Sequence, residues 1–213
     1  GPLGWIGYRP KYHFMEGAPK RKGRGKLKGA AMIASNHFSY RDGTIINITW
    51  IWRRVRIVMA EILWDEHKFL GWFLDRVGMI KITRNALDLG CLKKVIGILG
   101  DGGLVGIMPE GHVSPDGTLQ PLKPGISWLA LKGKAPVVPM FIKTAPMFHH
   151  THVFIGKPIN IAEVEQEAAL TGARPVTLLT EKIAAALTEL QGEYEKLPVP
   201  VRKKRTRDDP PKN

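Results

Sequence analysis

The sequence predicts an α/β fold, a single-domain layered sandwich with a largely parallel central sheet flanked by helices. Three observations predict it. Short apolar runs of strand length alternate with segments of helical period through most of the 213 residues. Most of those runs are apolar throughout, as in strands covered on both faces. The composition, 44% hydrophobic and 24% charged, is that of a globular chain long enough to bury a core.

In chain order, residues 18–28 (APKRKGRGKLK) are basic and glycine-containing, and predict a loop. Residues 29–35 (GAAMIAS) form an apolar run and predict a buried strand. Residues 36–42 make a polar break, and 43–52 are apolar and suit a helix. Residues 55–60 (VRIVMA) give a second strand, 61–77 helical pieces, and 79–83 (MIKIT) an alternating strand. Leu92, Val95, Ile96 and Leu99 recur at helical spacing within 85–99, and Gly102-Gly103 ends that helix. Leu104 to Met108 predicts a buried strand closed by Pro109. A helix is expected over 124–132, strands over 137–142 and 152–155, and a clear helix over 177–196. The expected organisation is a basic, membrane-proximal segment over 1–28, one folded domain over 29–197, and a basic disordered tail over 198–213.

Charge is concentrated at the ends. The net charge is +13. Residues 1–28 carry eight basic side chains against Glu16, and residues 201–213 carry six against two. The stretch between them is nearly neutral. Such ends suit an anionic surface, membrane or polynucleotide, or simply keep the protein in solution. A nucleic-acid-binding core would carry its excess on one face of the fold instead. The single cysteine, Cys91, excludes an internal disulfide framework and a cysteine-based zinc site. No apolar run reaches the roughly 18 residues of a transmembrane helix, since Arg53, Arg54 and Arg56 break the best candidate. Gly1-Pro2 fits a protease remnant, and Trp5, Tyr8, Arg9 and Lys11 suit a membrane interface. They raise the expectation of an apolar helix upstream.

Four motifs carry chemistry or shape a site. Asn36-His37-Phe38-Ser39-Tyr40-Arg41-Asp42 sets a histidine five residues before an aspartate, across a strand-to-helix turn. An imidazole can take a proton near neutral pH, and a carboxylate on its other nitrogen fixes the tautomer and stabilises the imidazolium. Asp42 also precedes an apolar run, so a plain N-cap is the competing reading. Next, Gly78 to Arg84 (GMIKITR) ends a strand with Lys81 and Arg84, which suit a phosphate or carboxylate. Residues 107–117 (IMPEGHVSPDG) place Glu110 straight after an apolar strand, with Gly111 letting a substrate approach the backbone. The same residues also read as a turn. Last, residues 135–140 (APVVPM) form a proline-bracketed strand without a reactive group.

Taken in order, these four motifs resemble the sequence blocks of the glycerolipid acyltransferases. The nearest likeness is to the bacterial 1-acylglycerol-3-phosphate and lysophospholipid acyltransferases. The resemblance spans about residues 28–160, and Pro121-Leu122-Lys123-Pro124-Gly125 adds to it. It implies that His37 is the general base on an acceptor hydroxyl and that Asp42 orients it. It implies that Arg84 helps bind the acceptor phosphate, and that Glu110 and Gly111 shape the acceptor site. The implied donor is a fatty acyl thioester of coenzyme A or acyl carrier protein, used by direct transfer with no cofactor. The implied acceptor is a lysophospholipid, at the cytoplasmic face of a membrane, with the enzyme peripheral or anchored from its N-terminal side. No nucleic acid partner is expected. Several positions depart from the family pattern: Met108 stands for a phenylalanine, His112 for a threonine, Val113 for an arginine, and Lys81 and Thr83 for an apolar residue and an aspartate. Valine cannot bind an anion, so the phosphate would fall to Arg84, Lys81 or Lys123, or the acceptor differs. His112 is a further candidate acceptor contact.

Direct transfer agrees with the residues themselves, since no Gly-x-Ser-x-Gly nucleophile elbow occurs. Cys91 falls in an amphipathic helix, a poor place for a nucleophile. His149, His150 and His152 cluster, but nothing is spaced to complete a metal site, and none is expected. Asn47-Ile48-Thr49 fits a glycosylation pattern inside an apolar segment and is set aside. Trp50, Trp52, Trp64 and Trp72 would line an acyl tunnel, touch lipid or fill the core. Two alternatives remain open. One is an acyltransferase whose acceptor is glycerol 3-phosphate or a lyso-aminolipid. The other is a non-catalytic basic module that binds lipid or nucleic acid.

Overall fold

The computed structural model describes residues 9–21, 23, 25–65, 68–83, 88–144 and 150–198. Its strands are β1 (Lys11–Phe14), β2 (Ala31–Ser35), β3 (Val55–Ala60), β4 (Ile80–Ile82), β5 (Leu104–Ile107), β6 (Val137–Lys143) and β7 (His152–Ile155). Its helices are α1 (Asp42–Thr49), α2 (Ile62–Asp65), α3 (Lys68–Arg76), α4 (Leu89–Gly100), α5 (Gly125–Gly133), α6 (Ile161–Thr171) and α7 (Pro175–Glu195). The strands form one sheet in the order β1-β7-β6-β2-β5-β3-β4. Five run in one direction; β7 pairs antiparallel with β6, and β1 follows β7 in parallel. The sheet is therefore mixed and mostly parallel, as the sequence predicts.

Strand β2 lies at the centre, and all five of its residues are buried. Met32 and Ala34 face a layer built by Val95 and Leu99 of α4, Ile126 of α5 and Ile183 of α7. Ala31 and Ile33 face the opposite layer, with Ile45 and Ile46 of α1 and Leu74 of α3. A strand covered on both sides cannot alternate polar and apolar residues, which is why this run is apolar throughout. Helix α4 starts where the Asp88 side chain accepts from Cys91 N, and a backbone turn with Gly102 at φ 74° follows its end. Helix α7 begins with Pro175, whose missing N–H costs nothing in a first turn.

Two elements differ from the sequence reading. Residues 11–14, inside the basic N-terminal stretch where no strand was expected, form the edge strand β1. An edge strand is held by backbone pairing and tolerates charge, so its pattern carries little hydrophobic signal. Residues 161–171 form a helix where none was expected. Asn160 caps it through Ala162 N, and only Ile161, Val164 and Ala168 are buried, a stripe too thin to stand out. The expected disordered tail lies, except for Pro198, outside the described residues. No helix among the described residues is long and apolar enough to cross a membrane.

Candidate functional site

Two turns leave neighbouring strands, β2 and β5, at the carboxyl end of the sheet, where ligands of open α/β sheets gather. The first turn is fixed by Asn36, which is fully buried. Its Nδ2 donates to Ile142 O at 2.9 Å, and its Oδ1 accepts from Ile142 N at 2.7 Å. This side chain continues the β2–β6 ladder beyond the last backbone pair and sets the exit angle of the chain. His37 follows with both backbone groups taken. Its N–H donates to Glu110 Oε1 at 2.7 Å, and its carbonyl accepts from Ser114 N at 2.7 Å.

The His37 ring then turns Nδ1 toward Asp42 Oδ2, at 3.3 Å. Asp42 is fully buried, and its carboxylate is densely bonded. Oδ2 also accepts from Phe38 N at 2.8 Å and Ser39 N at 2.7 Å, while Oδ1 accepts from Thr144 Oγ1 at 2.5 Å. The amides it holds precede it in the chain. Asp42 thus closes the 38–42 turn and does not cap the helix it begins, which decides against the N-cap reading. A neutral ring donating from Nδ1 carries its lone pair on Nε2. The His37 side chain is 18% exposed, so a small substrate group can reach it.

Glu110 joins the two turns. One oxygen holds His37 N and the other holds Gln120 N at 3.0 Å. Burial pushes its carboxyl above the usual range, and the two amide hydrogen bonds pull the other way. Glu110 thus braces the histidine from behind. Gly111, at φ 75°, turns the chain beside Lys123; a Cβ there would lie 3.0 Å from Lys123 Nζ. Lys123 N also donates to Pro109 O at 2.8 Å, drawing the end of the loop back to its start. Within the loop, Asp116 Oδ1 accepts from Thr118 N at 3.0 Å and from Ser114 Oγ at 3.0 Å. These bonds hold the Asp116 carboxyl below its usual range, led by the Thr118 amide.

The structure therefore brings His37, Asp42, Glu110, Gly111 and Lys123 together. His112 is exposed on the same loop. Lys81 lies elsewhere, on edge strand β4, with Nζ 3.7 Å from Asp65 and over the Trp64 ring. Arg84 and His149 lie outside the described residues. Sequence reasoning missed Thr144 and the bracing by Asn36 and Gln120. Thr144 and Ile142 lie more than a hundred residues from their partners, and only the β2–β6 register unites them. It also missed Lys143, whose Nζ lies over the Phe38 and Tyr194 rings.

The other candidates resolve into structure. Cys91 is buried, and desolvation pushes its thiol up to about 11, so it stays protonated and unreactive. His152 pairs with His13, Nδ1 to Nε2 at 3.1 Å, and His13 stacks on Phe154. Among the described residues no group of three His, Cys, Asp or Glu could hold a metal ion. Trp50 is buried, Trp64 half-buried, and Trp52 and Trp72 are exposed.

A mostly parallel sheet with a histidine–aspartate pair at its carboxyl end is an α/β fold carrying a general-base arrangement. The fold matches the crystal structure of the 1-acyl-sn-glycerophosphate acyltransferase PlsC from Thermotoga maritima with a TM-score of 0.64. That match covers 92% of this chain and 76% of that one at 19% identity, and it is a likeness of fold. The sequence model of the Acyltransferase family matches residues 9–143, well over half of the chain, and the chain belongs to that family. Two relatives are named 1-acyl-sn-glycerol-3-phosphate acyltransferase. The one from Bacillus subtilis is 24% identical over 78% of this chain and 83% of its own length. The one from Limnanthes douglasii is 29% identical over 67% of this chain. This chain spans about half, 51%, of the Limnanthes relative.

Proposed function

We propose that this chain transfers a fatty acyl group from an acyl thioester, on coenzyme A or acyl carrier protein, to the free hydroxyl of a lysophospholipid. The best-supported acceptor is 1-acylglycerol-3-phosphate, giving phosphatidic acid. The observation that carries the reading is the His37–Asp42 pair, bonded at 3.3 Å at the sheet's carboxyl end in a chain of this family. His37 Nε2 takes the hydroxyl proton as the oxygen attacks the thioester carbonyl. Asp42 stabilises the imidazolium so formed. When the tetrahedral intermediate collapses, the carbon–sulfur bond breaks and the imidazolium returns its proton to the leaving thiolate. No covalent acyl-enzyme is needed, in keeping with a buried Cys91. A general base supplies about 10²–10⁴-fold, and positioning of the two substrates supplies more.

Lys123, beside Gly111, borders the bracing loop, and with Arg84 and His112 it is a candidate partner for the acceptor's phosphate, whereas Lys81 is held away on β4. Val113 favours a second reading, in which the acceptor is glycerol 3-phosphate or a lyso-aminolipid. The basic ends support work on an anionic membrane at its cytoplasmic face. The test is to incubate the protein with lysophosphatidic acid and long-chain acyl coenzyme A, beside His37→Ala, and follow phosphatidic acid by mass spectrometry. Product from the native chain alone is expected. Product on another lyso-lipid only would select the second reading, and equal product from His37→Ala would refute the mechanism.

A further inference from the structure

The outer face of α2 and α3 is not used by the site. Ile62, Phe69, Trp72 and Phe73 are 52, 76, 61 and 47% exposed. Phe69, Trp72 and Phe73 stand at helical positions i, i+3 and i+4, so they share one side of α3, while Gly71 and Leu74 are buried on the other. The Phe69 and Trp72 rings lie 5.8 Å apart. Scattered exposed apolar residues need no explanation, but a contiguous aromatic face does.

Cations border this face. Lys68 and Arg76 lie at the two ends of α3, both exposed. Arg54 approaches Gly78, just beyond the helix, at the amino end of β4. None of the three forms an ion pair with a described residue. Two acids lie nearby: Asp75 accepts from Trp64 Nε1 at 2.9 Å and keeps its charge, and Asp65 meets Lys81. The face starts at the level of the site, because α2 begins two residues after Ala60, the carboxyl end of β3.

We infer that this face docks on an anionic lipid bilayer, with Phe69, Trp72 and Phe73 in the interfacial layer and Arg54, Arg76 and Lys68 on headgroup phosphates. Charge selects this occupant over a second copy of the chain. A symmetric self-contact would set these cations against their own kind on two molecules of net charge +13 each. The inference deepens the lipid-acceptor reading and rests on it for its purpose. Docked this way, the chain lies on the flank of the sheet, and α2 keeps the carboxyl end of β3, the neighbour of β5, beside the headgroup layer.

The test uses the full chain and vesicles of phosphatidylcholine, with or without phosphatidylglycerol, at low and high salt. The variant Phe69→Ser/Trp72→Ser/Phe73→Ser changes only exposed side chains, and its melting temperature checks the fold. It should partition onto anionic vesicles at least about tenfold more weakly, because affinity follows buried apolar area. Arg54→Glu/Arg76→Glu should weaken binding to anionic vesicles alone, and high salt should erase the difference. The basic ends are unchanged in every variant, so their contribution cancels. The triple variant should lose transfer to lysophospholipid in vesicles and keep transfer to a short-chain acceptor in solution. Partitioning as strong as the native chain's would overturn the docking surface. So would a native dimer that the triple variant converts to monomer. If vesicle binding follows the expected pattern and no acyl transfer occurs on any lyso-lipid, the proposed reaction falls and the docking surface stands.

Discussion

Replacing Asp42 with asparagine separates the charge of the catalytic pair from its geometry. The carboxylate accepts from Phe38 N, Ser39 N, His37 Nδ1 and Thr144 Oγ1. Asparagine can keep its one oxygen at the Oδ2 position, which retains both amide bonds and the bond to His37. Its NH2 then faces Thr144, whose hydroxyl can turn to accept. The turn survives, and stability should fall by about 1–2 kcal/mol, the change from charge-assisted to neutral hydrogen bonds. The charge does not survive. At 3.3 Å and an effective dielectric of about 20, an imidazolium and a carboxylate attract by about 5 kcal/mol. His37 is 18% exposed, and partial screening by water leaves about 3–4 kcal/mol. The expected loss is about 10²–10³-fold in kcat, with KM for the acceptor little changed. The assay is steady-state transfer with the acceptor titrated, beside thermal melting of both proteins. A variant that keeps more than about a third of native kcat would show that the Asp42 charge is not used in the reaction.

Other outcomes follow from the same contacts. Glu110→Gln leaves one of two buried amides, His37 N or Gln120 N, facing an NH2, and should cost about 1–3 kcal/mol by denaturant melting. Because the Glu110 carboxyl is raised in the fold, native stability declines as pH rises above the ordinary carboxyl range, and this variant should flatten that decline. His13 and His152 are both held below the ordinary imidazole value, chiefly by burial. The unfolded chain then takes up protons first, so stability should fall as pH drops below about 6.5, and His13→Phe should reduce the slope. Cys91 should resist a water-soluble thiol reagent at neutral pH until denaturant is added, and a fast native reaction would contradict its burial.

The parts of the fold legible in the sequence are those whose burial is complete. Strands β2, β5 and β6 are apolar runs because both faces are covered, and α7 shows its stripe because Leu179, Ile183, Leu187 and Leu190 all reach the core. Strand β1 and helix α6 stayed hidden for the opposite reason, since each buries too few side chains to mark its period. In the site, the His37–Asp42 spacing was legible because the pair is local. The bonds from Ile142 to Asn36 and from Thr144 to Asp42 depend on which strand lies beside β2. No spacing in a single sequence encodes that neighbour.

The loop after β5 is pinned at three places: Glu110 to Gln120, Ser114 to His37, and Lys123 to Pro109. All three use main-chain amides, and the one side chain they require is that of Glu110. Gly111 is held by its positive φ and Asp116 by its bonds to Ser114 and Thr118, but His112 and Pro115 are exposed between the pins. The path of this segment is therefore constrained while its outward chemistry at those two positions is left free. Evolution can rewrite what it presents to an acceptor without moving His37. A change in its length would break the register of the pins and reach the base at once.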